Sequence, residues 1–281
     1  MARSTGGAAV MPELPEVETT RRGVQPLLNG RRVRAVRIHD GRLRRPVPGN
    51  LAGLLEGQRL DDVSRRAKYL LFHFGSGTLL VHLGMSGSLR VVEAKSPRLK
   101  HDHVELDFGA ARCLRFRDPR RFGLVLWAGA DPLSHELLCR LGPEPFDDSF
   151  SASYVHSLAK GRRVAVKNFI MDAHVVVGVG NIYASEALFR AAIHPQRAAG
   201  RISEQRFASL IGHIRNVLNE AIAAGGTTLR DFMRNDGEPG YFRHKLLVYG
   251  RAGEPCTACA RPLSARVIGQ RSSFFCGTCQ R

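Results

Sequence analysis

Two sets of residues in this 281-residue chain have types and spacings that could do chemistry. The first is Met11-Pro12-Glu13-Leu14-Pro15-Glu16-Val17-Glu18. If Met11 were an initiator methionine and were removed, Pro12 would carry a free secondary amine followed at once by a carboxylate. An α-amino group has an unperturbed pKa of about 8, so a useful fraction is an unprotonated nucleophile at neutral pH. Amines attack carbonyl-like carbons to form Schiff bases. A secondary amine gives an iminium with no N–H to lose, which remains an electron sink. Glu13 is placed to move protons at the same centre. The same residues also suit helix punctuation, with Pro15 and Glu16 opening a helix ahead of Val17, Val24, Leu27 and Leu28. Residues Met1–Val10 make the amine reading conditional, because with them attached Pro12 is an ordinary tertiary amide. They are small and polar with no apolar core, so they do not form a secretory signal. The expectation is that Met11 is the true start or that residues 1–11 are removed from the mature protein.

The second set is Cys256-x2-Cys259, sixteen residues, then Cys276-x2-Cys279. That spacing fits a four-thiolate zinc site. Four thiolates close the tetrahedron, so one structural zinc ion is expected rather than a catalytic one; unrelated thiols or two disulfides are the competing reading. From Tyr241 onward there are seven basic residues (Arg243, Lys245, Arg251, Arg261, Arg266, Arg271 and Arg281) against Glu254 alone, a balance of +6. A metal-stiffened hairpin presenting Arg266 and Arg271 could clamp phosphates. Cys113 and Cys139, in apolar surroundings, are expected to be buried thiols.

Other clusters carry a weaker signal. Asp118-Pro119-Arg120-Arg121-Phe122-Gly123 sets an arginine beside an aromatic at a turn, where a guanidinium can read base edges and a ring can wedge between bases. Met85 in His82-Leu83-Gly84-Met85-Ser86-Gly87 is another apolar candidate at a strand end. Lys68 in Arg65-Arg66-Ala67-Lys68-Tyr69 offers an amine at the mouth of a strand. Each of these also reads as ordinary core, turn or solvated edge. His101-Asp102-His103 lacks a third metal ligand and reads as a phosphate contact or a surface loop. Gly178-Val179-Gly180-Asn181 lacks the third glycine of a dinucleotide fingerprint. As a glycine-rich helix entry it offers N–H donors and the Asn181 side chain to a phosphate.

The elements that must position these residues fall into two textures. After a first helix broken at Gly30, β character runs to about Gly129. Tyr69–Phe74 and Thr78–Met85 are apolar runs of strand length. His103–Phe108 alternates, Leu114 and Phe116 repeat the alternation, and Gly75-Ser76-Gly77 marks a turn. This predicts a β-sandwich or barrel. From about Asp147 the pattern is helical. A helix starts near Asn181 and stops before Pro195. Another, capped by Ser203, carries Phe207, Leu210, Ile211, Ile214, Val217, Leu218, Ala221 and Ile222 on one stripe and ends at Gly225-Gly226. The segment from Gly225 to Tyr241 reads as a long, functional loop, and Leu141–Pro145 as the linker between domains. Net charge is +17, from 42 Lys+Arg against 25 Asp+Glu. So basic a chain points to a polyanionic partner. No apolar run is long enough to span a membrane, and no helix is both strongly basic and amphipathic. Nucleic acid is therefore favoured over a membrane surface.

In order, PELPEVE, RRAKYL, HLGMSGSLR, KHDH, DPRRFG, VGVGNIYASE, GGTTLRDF and the paired CxxC ending closely resemble bacterial formamidopyrimidine-DNA glycosylases, from Met11 to Arg281. The resemblance implies an α+β, multidomain chain. It would have an N-terminal β-sandwich with flanking helices (12–141), a helix–two-turn–helix domain (146–248) and a zinc-finger β-hairpin (249–281), with DNA in the cleft between. It implies a bifunctional enzyme of base-excision repair that removes 8-oxoguanine and formamidopyrimidines from double-stranded DNA and then cuts the abasic strand. Pro12 matches the nucleophile, Glu13 the proton-transfer residue, Lys68 the lysine of β-elimination and Arg271 the finger arginine of δ-elimination. Met85, Arg120 and Phe122 match the void-filling residues, with Arg120 facing the orphaned cytosine, and His101, Arg162 and Asn181 match DNA contacts. The loop around Thr227–Tyr241 matches the one that closes over the flipped base. A monomer in the bacterial cytoplasm, associated with the nucleoid, is expected. Asn168 departs from the family's proline after Lys167 and is expected to touch no assigned chemistry. A DNA-binding protein without a nucleophile is the alternative, and could keep the wedge and the finger.

Overall fold

The computed structural model describes residues 12–226 and 245–281. The amino-terminal extension and the expected closing loop at Thr227–Tyr241 lie outside the described residues. The chain divides into two compact units, the first built chiefly from Glu16–Leu138 and the second from Glu13–Pro15, Cys139–Ala224 and the carboxy-terminal segment.

The first unit is a β-sandwich. One antiparallel sheet has the order β1-β6-β7-β5, formed by β1 (Ala35–Ile38), β5 (Ser88–Glu93), β6 (Asp102–Asp107) and β7 (Arg112–Arg117). The other has the order β2-β3-β4-β8, formed by β2 (Leu60–Arg66), β3 (Tyr69–Phe74), β4 (Gly77–His82) and β8 (Leu124–Trp127). Period-two side chains from both sheets meet in one core: Val63, Leu70, Phe72, Leu79, Val81 and Val125 from one, Leu89, Val104, Leu106, Leu114 and Phe116 from the other. Helix α1 (Leu14–Leu28) adds Val17, Val24 and Leu28 to it, and the short α2 (Leu51–Leu55) adds Leu51 and Leu55. The β3 strand and the Gly75–Gly77 turn match the sequence reading. Strand β4 stops at His82, short of the expected Met85, because the chain turns at Gly84, whose φ of +65° a side chain would resist.

The second unit is helical. Its helices are α3 (Ala152–Ala159), α4 (Val166–Ile170), α5 (Asn181–Arg190) and α6 (Glu204–Ala223). Ser203 caps α6 by accepting the Arg206 N–H. The expected stripe is buried at Phe207, Leu210, Ile211, Ile214, Val217, Leu218 and Ala221. Gly225, at φ +76°, follows the helix end. The hairpin β9 (Ser264–Ile268) and β10 (Arg271–Phe275) packs against α5, sharing a small core of Phe189, Val248, Leu263, Cys256 and Cys276. Among the described residues no helix is long and apolar enough to cross a membrane.

Candidate active site and nucleic-acid interface

In the second unit, Glu13 is 2 % exposed, and its carboxylate accepts the N–H groups of Ile182 (2.9 Å) and Tyr183 (3.4 Å). These are orphan donors in the first turn of α5, where the helix dipole also favours a negative charge. Leu14 N–H donates to the Gly178 carbonyl (3.1 Å), which fastens the segment alongside. The glycines allow this approach. A Cβ on Gly180 would overlap the Glu13 carboxyl, and one on Gly178, which has φ +81°, would lie 2.5 Å from Leu14 Cδ1. Of the N–H groups at this helix entry, those of Ile182 and Tyr183 are taken by the chain's own carboxylate. Pro12, immediately before Glu13, is buried.

Asn181 is half-buried and fully engaged. Its Oδ1 accepts from Lys167 Nζ (2.6 Å), and its Nδ2 donates to the Ser272 carbonyl (3.0 Å) and to the Tyr249 hydroxyl (3.3 Å). Lys167, wholly buried, also donates to Ser273 Oγ (2.6 Å) and the Ser272 carbonyl (3.3 Å). Burial pushes its pKa down to about 8; the Glu13 carboxylate opposes that shift and the Arg271 charge reinforces it. Together Asn181 and Lys167 hold the start of β10, where Arg271 stands exposed. Asn168, the departure from the family pattern, lies against Gly269 in the turn before Arg271, so close that a side chain at 269 would collide with it. It therefore abuts the segment that presents a proposed catalytic group, which its sequence position did not suggest. Arg162 is exposed.

The four cysteines converge, their sulfurs all lying within 4.8 Å of one another. Cys256 and Cys279 are 3.9 Å apart, Cys259 and Cys276 3.5 Å. A tetrahedron with Zn–S bonds of 2.3 Å has S···S edges of about 3.8 Å. The N–H groups of Ala258 and Cys279 point at Cys256 and Cys276 sulfurs (3.4 Å each), which favours thiolates. The donor set fits one structural zinc ion.

In the first unit, Lys68 follows Ala67, which sits at φ +55° in the β2–β3 turn. Its charge acts on His82, a buried imidazole whose pKa falls to about 4, first through burial and then through Lys68 and Arg44. His82 Nδ1 accepts the Gly84 N–H (2.9 Å), so the neutral ring carries its proton on Nε2. Met85 is half-buried in the turn beyond β4, while Arg120 and Phe122 are exposed between β7 and β8, with the guanidinium 5.3 Å over the ring. Arg121, at φ +59°, is held by Asp40 Oδ2 (2.5 Å) and the Arg42 carbonyl (3.0 Å). His101 is half-buried at φ +73°. Its neighbours are not a surface loop: Asp102 and His103 are both buried, and His103 Nε2 donates to the Asp118 carbonyl (2.9 Å). Cys113 is buried as expected, but Cys139 is exposed, because it falls in an irregular turn rather than in the strand or helix that would bury it.

Three family models cover most of the chain: the formamidopyrimidine-DNA glycosylase N-terminal domain at residues 11–125, the formamidopyrimidine-DNA glycosylase H2TH domain at 141–233, and the zinc finger found in FPG and IleRS at 253–281. The formamidopyrimidine-DNA glycosylase of Syntrophotalea carbinolica is 57% identical over 271 residues, covering 96% of this chain and all of that protein. This chain belongs to the formamidopyrimidine-DNA glycosylase family. Its fold matches the wild-type Lactococcus lactis enzyme in complex with an N7-benzyl-Fapy-dG-containing DNA (TM-score 0.89, 31% identity, 96% of this chain and 100% of that one). A second Lactococcus lactis complex, with DNA containing an abasic site, also has a TM-score of 0.89 at 31% identity and covers 96% and 99% of the two chains. The expected fold class therefore holds: α+β and multidomain, with a helix–two-turn–helix domain and a zinc finger. Sequence reasoning quoted Ser86 and Asp118 in its motifs without a role, named Lys167 only to locate Asn168, and missed Glu186 and Tyr249, each of which makes buried or half-buried hydrogen bonds within its own unit. Their partners are distant in sequence, and no local pattern marks them.

Proposed function

We propose that this chain is a base-excision-repair glycosylase and abasic-site lyase acting on 8-oxoguanine and formamidopyrimidines in double-stranded DNA. The observation that carries the reading is the buried Glu13 carboxylate, held on two α5 amides directly after Pro12. Glycosylases must rotate the damaged nucleotide out of the duplex. Met85, Arg120 and Phe122 would fill the gap, offsetting an unstacking cost of a few kcal/mol, with Arg120 against the orphaned cytosine. The Pro12 nitrogen would attack C1′ as the base departs, while Glu13 moves protons at the sugar ring. The resulting iminium acidifies C2′, allowing β-elimination assisted by Lys68 and then δ-elimination assisted by Arg271. His101, Arg162 and Asn181 would contact the DNA. Asn181 would have to exchange one of its present partners or act through the β10 backbone it holds. One zinc ion on Cys256, Cys259, Cys276 and Cys279 would stiffen the hairpin that carries Arg271. The domain limits fit this division of labour: a catalytic sandwich at 12–141, a helical DNA-binding domain at 146–248 and the finger at 249–281. The chain would act as a monomer in the bacterial cytoplasm, associated with the nucleoid.

The chemistry requires an unacylated Pro12, so the form to assay begins at position 12. Borohydride reduction in the presence of abasic DNA should trap a covalent complex, and Pro12→Gly should lose most strand cutting and most trapping. Unchanged cutting and trapping in that variant would refute the nucleophile assignment. Tight DNA binding with no trapped adduct would instead describe a DNA-binding protein without a nucleophile.

A further inference from the structure

The side chains proposed to fill the DNA gap stand on two segments far apart in sequence. Met85 lies in the turn after β4, and Arg120 and Phe122 lie between β7 and β8. The segments are flanked by paired strands, His82 with Leu124 and Ser88 with Arg117, and between those pairs a buried polar cluster joins them. Asp118 is wholly buried, and its Oδ1 accepts the Ser86 hydroxyl (2.7 Å) while its Oδ2 accepts the Gly123 N–H (2.7 Å). The Ser86 oxygen in turn accepts the Arg120 N–H (3.1 Å). One hydroxyl therefore donates into the second segment's carboxylate and accepts from the second segment's backbone, in residues directly adjacent to Met85 and at Arg120 itself. Backbone contacts extend the unit, since the Asp118 N–H donates to the His101 carbonyl (3.1 Å) and its own carbonyl accepts from His103.

Close packing leaves no slack at this junction. A Cβ on Gly84 would lie 2.5 Å from the Phe122 carbonyl carbon and the Gly123 nitrogen, and one on Gly123 would lie 2.5 Å from Phe116 and 3.0 Å from Asp118 Oδ2. Ser86 is itself only 7 % exposed, so bulk solvent has little access to its hydroxyl.

We infer that the Ser86–Asp118 pair is a positioning device that makes Met85, Arg120 and Phe122 enter DNA as one rigid wedge rather than as independent side chains. Neither residue of the pair need touch DNA. Side chains held by one buried polar network act non-additively, whereas side chains on independently moving segments act additively.

The inference rests on the proposed gap-filling role of Met85 and Arg120, and a double-mutant cycle separates the two ideas. The quantity to measure is the ratio of kcat/KM on lesion duplexes with cytosine opposite the damage to kcat/KM with adenine opposite. Met85→Ala and Arg120→Ala are made singly and together, in the parent protein and in Ser86→Ala. Circular dichroism and thermal melts verify that each variant is folded. In the parent, the combined effect should differ from the product of the single effects by about threefold or more. In Ser86→Ala that discrepancy should vanish, and Asp118→Asn, which removes one acceptor, should reduce it. Ser86→Thr, which keeps the hydroxyl, should preserve it. Singles that change the ratio but multiply independently in the parent would overturn the rigid wedge alone, as would coupling that survives Ser86→Ala. Singles without any effect on the ratio would overturn the gap-filling roles and the wedge together.

Discussion

At the scale of the residue, the site is governed by where carboxylates and imidazoles are desolvated. Glu13 is held by α5 amides, and Gly180 exists to admit it. Gly180→Ala should therefore push the carboxylate off the helix while leaving most of the second unit folded. Base excision should drop by about a hundredfold or more, in the range attributed to a positioned general acid or base. Excision at near-parental rates with an unchanged circular dichroism spectrum would contradict the role given to Glu13. His82 yields a prediction about stability. Its folded pKa is depressed to about 4 from an ordinary 6.5, so between those values the unfolded chain binds the extra proton and the folded chain does not. The contribution is fully present above about pH 6.5 and is lost as pH falls toward 4, reaching on the order of 3 kcal/mol at 1.36 kcal/mol per pKa unit. Urea denaturation across pH 7 to 4 should show a shallower loss for His82→Gln than for the parent. Parallel curves would mean the imidazole is not held neutral.

At the scale of the element, α5 and the β9–β10 hairpin do most of the organising in the second unit. The α5 amino terminus seats Glu13, and Asn181 on the same turn grips β10 with Lys167. One turn further along, the buried Glu186 accepts the N–H groups of Leu247 (2.9 Å), Val248 (3.0 Å) and Tyr249 (2.8 Å). Burial pushes the Glu186 pKa up against the pull of those amides. The hairpin buries Ile268 and Phe275 on one face but leaves Val267 73 % exposed on the other, and a zinc ion on the four cysteines would tie its base to the preceding loop. Removing zinc with a chelator should raise hydrogen exchange across residues 253–281 and weaken DNA binding, while α6 keeps its protection. Full DNA affinity and unchanged exchange in metal-free protein would rule out a structural role for the ion.

For the whole molecule, the excess of basic residues sets the strength of attraction to DNA and its response to salt. Each phosphate contact contributes about 0.9 to the slope of log affinity against log salt. Arg162, exposed at the end of a turn after α3, is proposed to make one such contact. Arg162→Ala should flatten that slope by about 0.9 and leave the preference for the opposite base unaltered. A steep slope equal to the parent's would remove Arg162 from the interface. The architecture was largely legible because each unit writes its own period into the chain. Tyr69–Phe74 and the Ser203-capped helix both fell where pattern and capping placed them, since alternation and the 3.6-residue stripe are local consequences of burying one face. The failures lie where a neighbour in space overrides the local pattern. Strand β4 ends early at His82, where the chain goes on to turn at Gly84, Cys139 is exposed, and the first α5 amides receive a carboxylate from a segment far away in sequence.

Sequence alone determined the chemistry available: an imino acid followed by a carboxylate, four thiols at zinc spacing and an arginine beside an aromatic are covalent and positional facts that survive unfolding. It also determined the sheet-then-helix order, because periodic burial is encoded residue by residue. Only the tertiary structure decided which partner each polar group takes. That Glu13 caps α5, that Lys167 and Asn181 grip β10, and that Ser86 and Asp118 join two distant turns all depend on contacts between residues from 14 to 169 positions apart. Such pairings arise because burial strips water from the polar groups and leaves each to find its partner in whatever segment the packed core brings alongside.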